Sequence, residues 1–322
     1  MAHGHRPDHA ARLVILRLFR RGAALSAILW PAYLLFFAHG ALAAPVAVTD
    51  ALGNHVRLPA PARRIVSLAP SVTELVYAAG AGSRLVAVSA YSNWPVAARD
   101  LPRVGDAFRI DLERIVALKP DLVIGWASGT SPSERNALKR LGLPLLLLAP
   151  RKLDDIPRAL KLIGKLTGTS AVAQRSAHAF IQTRNRLRSA YAGRRQLRVF
   201  YELSDLPLYT IGGPQIISQV IRLCGGRNVF SNLGKLAPVV TRAAVLARKP
   251  QVILIGSYRR AEAALNRWRQ WQWLPAVKHD NLFMVPGDIL GRATPRLLAG
   301  AVTVCRDLAL ARQRIYAAKP QS

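Results

Sequence analysis

Residues that carry most enzyme and metal chemistry are scarce in this 322-residue chain. Of its seven histidines, His3, His5, His9 and His39 fall within the first 43 positions, leaving His55, His178 and His279 far apart on what read as different elements. No HExxH, GxSxG, phosphate-loop or paired-cysteine zinc spacing occurs. Catalytic residues and metal ligands therefore both lack support, and no resident cofactor is expected. Cysteine is limited to Cys224 and Cys305, which the residues alone read as one structural disulfide in an oxidising compartment or as two buried thiols. Acid is short as well, with 17 Asp and Glu against 46 Lys and Arg and a formal net charge of +29. Such an excess suits nucleic acid, an anionic surface or acidic ligands. The cations are scattered, however, in short clusters such as Arg194-Arg195 and Arg259-Arg260. No nucleic-acid motif accompanies them, so they read as a solvated, arginine-rich surface and no nucleic-acid partner is expected.

One long apolar run is present, from Ala23 to Phe37. Arg12, Arg17, Arg20 and Arg21 precede it and Ala41-Leu42-Ala43 comes after it, the order of a secretory signal with a small-x-small cleavage site. The run is shorter than the roughly 20 residues of a membrane span. Cleavage near Ala43 or Ala44 is expected, with residues 1–43 as the signal peptide. No cysteine comes directly after the run, so a lipid anchor is not indicated, and the product is expected to be free in the periplasm.

The chain beyond this signal reads as two α/β lobes. Residues 44–62 alternate apolar and polar around Gly53-Asn54, the pattern of a hairpin. In 63–168 strands and helices alternate: strands over Arg64–Leu68, Leu85–Ser89, Leu122–Gly125 and Leu145–Leu148, helices over Thr73–Ala79, Leu112–Lys119 and Ser133–Leu141. Ser71 is expected as the first helix's N-cap with Glu74 three residues on, and Gly80 as its C-cap. Continuous apolar strands between helices predict a parallel sheet covered on both faces. Residues 169–195 lack proline, and glycine until Gly193, and predict one long, stiff helix. The α/β rhythm restarts in 196–322, with strands at Arg198–Glu202, Val252–Gly256 and Leu282–Val285, helical segments at Ile216–Leu223 and Val245–Lys249, and a terminal helix from Thr294 to Tyr316. A stiff connection allows only modest lobe motion.

Ligands of α/β sheets sit at the carboxyl ends of strands. Tyr91-Ser92-Asn93-Trp94-Pro95 comes after one strand and Trp126 ends another, while Leu208–Gly213 and Asp288–Arg292 hold comparable places in the second half. Each has a plainer reading: Tyr91, Trp126 and Tyr209 as packing residues, Asp288 and Arg292 as an ion pair one turn apart. Trp268, Trp271 and Trp273 read equally as a core staple or a ligand wall.

The run DLERIVALKPDLVIGW (Asp111–Trp126), the YSxxP, strand-end GW and D-x-x-x-R patterns, and an LCGG segment at Cys224 together resemble the periplasmic binding proteins for vitamin B12 and iron complexes. The resemblance covers nearly the whole mature chain. It implies a class III architecture, two Rossmann-like lobes joined by one long rigid helix, with the ligand in the cleft between them. It implies no catalysis, but capture of cobalamin or a related corrinoid, or alternatively haem or a ferric siderophore, for an ABC importer's membrane permease, by a protein that acts as a monomer. Ligand contacts fall on Tyr91, Trp94, Phe108, Trp126, Tyr209, Asp288 and Arg292. The disulfide would join Cys224 to Cys305 in the final helix. Glu113 matches a carboxylate that docks on the permease, whereas the second lobe has Ala243 where the family has its counterpart, and Ala237 replaces a family tryptophan.

Overall fold

The computed structural model describes Met1 and residues 44–106, 109–256 and 261–316. The expected signal segment, Phe108 and the Arg259-Arg260 cluster lie outside the described residues. A hairpin comes first, β1 (Val46–Thr49) against β2 (His55–Leu58). The Asp50 carboxylate accepts the amides of Leu52 and Asn54 at 2.8 Å each and closes the turn. Then come β3 (Ile65–Ser67), α1 (Pro70–Ala78), β4 (Leu85–Val88), α2 (Leu112–Ala117), β5 (Leu122–Trp126), α3 (Pro132–Arg140), β6 (Leu145–Leu148) and α4 (Asp155–Thr167). Their strands form one all-parallel sheet in the order β4-β3-β5-β6. Its strands are almost wholly buried, as continuous apolar strands covered on both faces require.

Helix α5 (Ser170–Tyr191) leads into the second lobe: β7 (Leu197–Asp205), β8 (Leu208–Thr210), α6 (Ile216–Leu223), β9 (Gly226–Asn228), α7 (Arg242–Ala247), β10 (Val252–Gly256), α8 (Ala261–Trp268), α9 (Pro275–Lys278), β11 (Leu282–Val285), α10 (Gly287–Leu290) and α11 (Leu297–Tyr316). The sheet runs β11-β10-β7-β8, with β9 also paired to β7, and β8 is its one antiparallel member among the described residues. Both lobes and α5 belong to a single compact unit that begins at Pro45. Helix α5 holds the first lobe through the Ser176 hydroxyl, which donates to the Ala78 carbonyl at 2.6 Å, and through the Arg184–Asp154 ion pair. No described helix is long and apolar enough to cross a membrane.

Several elements differ from expectation for local reasons. Helix α4 is unannounced in the sequence because Pro157 and Gly164 interrupt it. The proline sits in the first turn, where no amide is needed. Gly164 lies where a Cβ would come within 2.4 Å of Ala173, so its bareness lets α4 press against α5. The N-cap of α1 is Ala69, not Ser71; Pro70 takes the first turn and Ser71 is buried inside the helix. Glu74 caps nothing, and its carboxylate leaves the helix for the other lobe. Gly80 does close the helix end with φ +84°. Helix α11 begins at Leu297, later than expected, because the Thr294 hydroxyl is drawn into a buried hydrogen bond with Glu74.

The lobes share a repeated unit. Asp111 and Thr241 each cap a six-residue helix, accepting the amides of Arg114 and Ala244. Lys119 and Lys249 then turn the chain at φ 45° and 44°, a proline succeeds each, and a buried strand begins. On the first unit the Arg64 guanidinium donates to the Leu118 and Lys119 carbonyls; on the second, Arg198 donates to Lys249. Glu113 and Ala243 hold the same helical position.

Cys224 and Cys305, both fully buried, form a disulfide that ties the end of α6 to α11 across a separation of 81 residues. Closing so long a loop restricts the unfolded chain by about 4.5 kcal/mol in the chain-entropy model. Replacing both cysteines by alanine is expected to lower the unfolding free energy in urea by about 2–5 kcal/mol. A loss below about 1 kcal/mol would show that the bond contributes little.

Candidate functional site

The loop after β4 is built on a chain of buried hydroxyls. Ser67 contacts Thr73 at 2.9 Å, Thr73 contacts Ser92 at 3.0 Å, and Ser92 contacts Ser89 at 3.2 Å. Arg103 adds donations to the Ser89 and Ser92 carbonyls. With its base fixed, the loop turns at Tyr91, whose φ is 61°, and presents that ring 80% exposed. Trp94 is 44% exposed and carries the Arg296 guanidinium 4.1 Å above its ring. Neither ring is core, so the packing reading of Tyr91 fails.

Trp126 ends β5 half-buried, with its indole N–H donating to the Ser128 hydroxyl at 2.5 Å. Its ring lies against the main core and also lines a small cavity between the lobes, about 50 Å³ in volume. Arg151 and Pro150 complete the first-lobe wall; Pro214, Leu236 and Gly291 face them from the second. The second-lobe wall depends on bare backbone. A Cβ on Gly212 would meet the Lys235 carbonyl at 2.0 Å, and one on Gly213 the Ser231 carbonyl at 2.2 Å, so only glycine lets segment 211–215 lie along 231–236. Gly212 donates to Leu236 and Thr210 to Pro238. Tyr209 sits beside that seam, bridged to Val239 and 36% exposed. A cavity of this size holds a few waters, so a ligand of several hundred Å³ would use it as the floor of a wider cleft, with exposed rings as walls.

Asp288 and Arg292 do pair, at 2.5 Å, but not as surface decoration. The Arg292 guanidinium is nearly buried and crosses to the first lobe, donating to Glu74 Oε1 at 2.9 Å, Asn93 Oδ1 at 2.8 Å and the Tyr91 carbonyl at 3.4 Å. Glu74, 4% exposed, also accepts from Arg296 at 2.9 Å and from the Thr294 hydroxyl at 2.9 Å. Arg292 thus already donates to protein partners on both lobes, while Asp288, with a side chain 55% exposed, is the more accessible of the two. Sequence reasoning misses Glu74 as a site residue. Its signal is an acid within the otherwise apolar TELVYAAG run, which meets donors at 292, 294 and 296.

A second polar link joins the lobes near the cavity, where the Gln219 side chain accepts from the Leu153 amide and donates to the Arg151 carbonyl. The tryptophan cluster resolves toward structure. Trp268 is 2% exposed, meets Phe200 edge-on at 5.4 Å, and donates its indole N–H to Glu202 at 2.5 Å. Trp271 tilts against it, while Trp273 stands apart and exposed. Glu113 lies exposed in the first turn of α2 with no hydrogen-bond or ion-pair partner among the described residues. Ala243 is exposed at the matching place on α7. His55, His178 and His279 stay on separate elements, and no three potential metal ligands gather among the described residues.

Known proteins carry the same outline. A family model described as periplasmic binding protein matches residues 65–289. A curated vitamin B12-binding protein from Vibrio cholerae is 39% identical over 257 residues, 80% of this chain and 92% of its own. The crystal structure of the periplasmic vitamin B12 binding protein BtuF of Vibrio cholerae superposes with a TM-score of 0.74, covering 79% of this chain and 99% of that one at 39% identity. The periplasmic heme binding protein HutB of Vibrio cholerae superposes at 0.68 with 24% identity over 76% and 98%, a likeness of fold alone. The chain belongs to the periplasmic binding protein family.

Proposed function

We propose that this protein captures cobalamin or a related corrinoid in the cleft between its lobes and hands it to the membrane permease of an ABC importer, without chemistry. The observation that carries the reading is the pair of aromatic strand-end loops: Tyr91 and Trp94 stand exposed instead of filling a core, and half-buried Trp126 lines an inter-lobe cavity. Broad aromatic faces with a few polar groups suit a large, partly apolar ring bearing an amide rim. Tyr209 and the half-exposed carboxylate of Asp288 would meet it from the second lobe. The identity shared with B12-binding relatives, against the fold-only likeness to a haem-binding one, favours the corrinoid. The same reading makes residues 1–43 a cleaved signal, the mature protein a periplasmic monomer, and the basic surface a solvated one.

Calorimetry of the mature protein against cyanocobalamin, cobinamide, haemin and ferric hydroxamates tests the ligand; saturable binding of haemin alone would overturn it. Tyr91→Ala is expected to weaken cyanocobalamin binding by about 1–2 kcal/mol while leaving the ligand-free unfolding midpoint in place, because an exposed ring contributes little to folding. Trp126→Ala, whose ring also packs on the core, should lower both affinity and stability by about 1–3 kcal/mol. An unaltered affinity in both variants would remove the aromatic walls from the site.

Docking is proposed to rest on Glu113 alone, since Ala243 offers no carboxylate on the other lobe. Glu113→Ala is expected to slow association with the cognate transporter and cut uptake in reconstituted vesicles, with corrinoid affinity in solution unchanged. Unchanged uptake would leave Glu113 as a first-turn residue favoured only by the helix dipole, worth a few tenths of a kcal/mol.

A further inference from the structure

Glu74 is a buried carboxylate that touches neither the cavity nor the aromatic rings, yet three donors from the opposite lobe converge on it: Arg292, Arg296 and the Thr294 hydroxyl, each at 2.9 Å. A buried ion pair is a poor device for stability, since desolvating the charges offsets most of their attraction and an apolar replacement of like volume is often as stable. What such a pair does supply is a unique geometry, because a buried charge tolerates no position but the one where its donors lie. The same two arginines also hold the ligand-side loop. Arg292 donates to Asn93 and the Tyr91 carbonyl, and Arg296 lies over the Trp94 ring. Asp288, the partner with the most exposed side chain, accepts from the Arg292 guanidinium and faces solvent.

We propose that Glu74 is the positioning residue of the cleft: its carboxylate sets the separation of the lobes and, through Arg292 and Arg296, holds the Tyr91–Trp94 loop in its ligand-ready place. Cargo that meets Asp288 or the Tyr91 loop then acts on the same guanidinium that joins the lobes, so occupancy of the cleft and the lobe contact are coupled. The effect on cargo rests on the corrinoid reading; the effect on lobe geometry does not.

The test measures both. The two native cysteines are consumed in the disulfide, so Lys139→Cys and Arg269→Cys, exposed on opposite lobes, accept spin labels whose separation is read by double electron–electron resonance. In ligand-free parent protein the distance distribution should be narrow. Glu74→Gln keeps the side chain's size but removes its charge and turns an N–H₂ toward the arginines, and should broaden the distribution; Arg296→Met, at the more open edge of the cluster, should broaden it less. Cyanocobalamin affinity should fall at least tenfold in Glu74→Gln. Unaltered distance distributions in both variants would overturn the proposal, including where the unfolding midpoint drops, because that outcome leaves Glu74 a structural residue only. If the parent binds no corrinoid, the proposed function fails, and the distances still decide the role of Glu74.

Discussion

A parallel strand must be entered each time from the same end, and the structure depends on that constraint. In the first lobe every crossover returns the chain through a helix, so the loops leaving β4 and β5 emerge on one side, carrying Tyr91, Trp94 and Trp126. The second lobe places segment 211–215 and residues 288–292 on its facing side. The exposed rings of Tyr91 and Trp94 therefore need no core of their own. They stand on loops whose bases are fixed by buried polar groups, as the Ser67-Thr73-Ser92-Ser89 hydroxyl chain fixes the loop at Tyr91.

Two lobes so arranged still have to be held at a defined separation, and helix α5 alone fixes only one edge. Beside an apolar core that includes residues of both lobes, the lobes share directional polar contacts: Glu74 with its arginines, and Gln219 with the Arg151–Leu153 backbone. Apolar contacts there would slide with little penalty, since their strength depends on area and not direction. Hydrogen bonds lose strength steeply with angle. A cleft that must present its walls at a set spacing gains more from the second kind.

Most of the fold is legible in the sequence because buried parallel strands are short apolar runs that few other structures tolerate, as at Leu145–Leu148 and Val252–Gly256. Helix α4 is hidden by Pro157 and Gly164, each harmless for a reason that only tertiary structure supplies: one sits in the first turn, the other faces Ala173. The exposed rings at Tyr91 and Trp94 are legible from their place after a strand. Arg292 is not, for its spacing from Asp288 announces an ion pair equally well on a bare surface or at an interface. What decides is Glu74, 218 residues away, and no local pattern ties the two together.

The repeated unit at Asp111–Trp126 and Thr241–Gly256 separates what the fold demands from what it leaves open. Cap, left-handed lysine, proline and buried strand recur in both lobes, because each closes the helix and starts the strand at a required angle. The second helical position does not recur: Glu113 in one lobe, Ala243 in the other, both exposed. At the strand ends the units diverge again, with half-buried Trp126 against Gly256, where a Cβ would meet the Tyr201 hydroxyl at 2.9 Å. A ring of tryptophan's size has no room there, and the exposed ring beside the 211–215 seam of the second lobe is instead Tyr209, from β8. The asymmetry of the cleft thus stems from one crowded strand end, and the face that carries Glu113 is asymmetric independently, since nothing in the packing obliges either residue at that position.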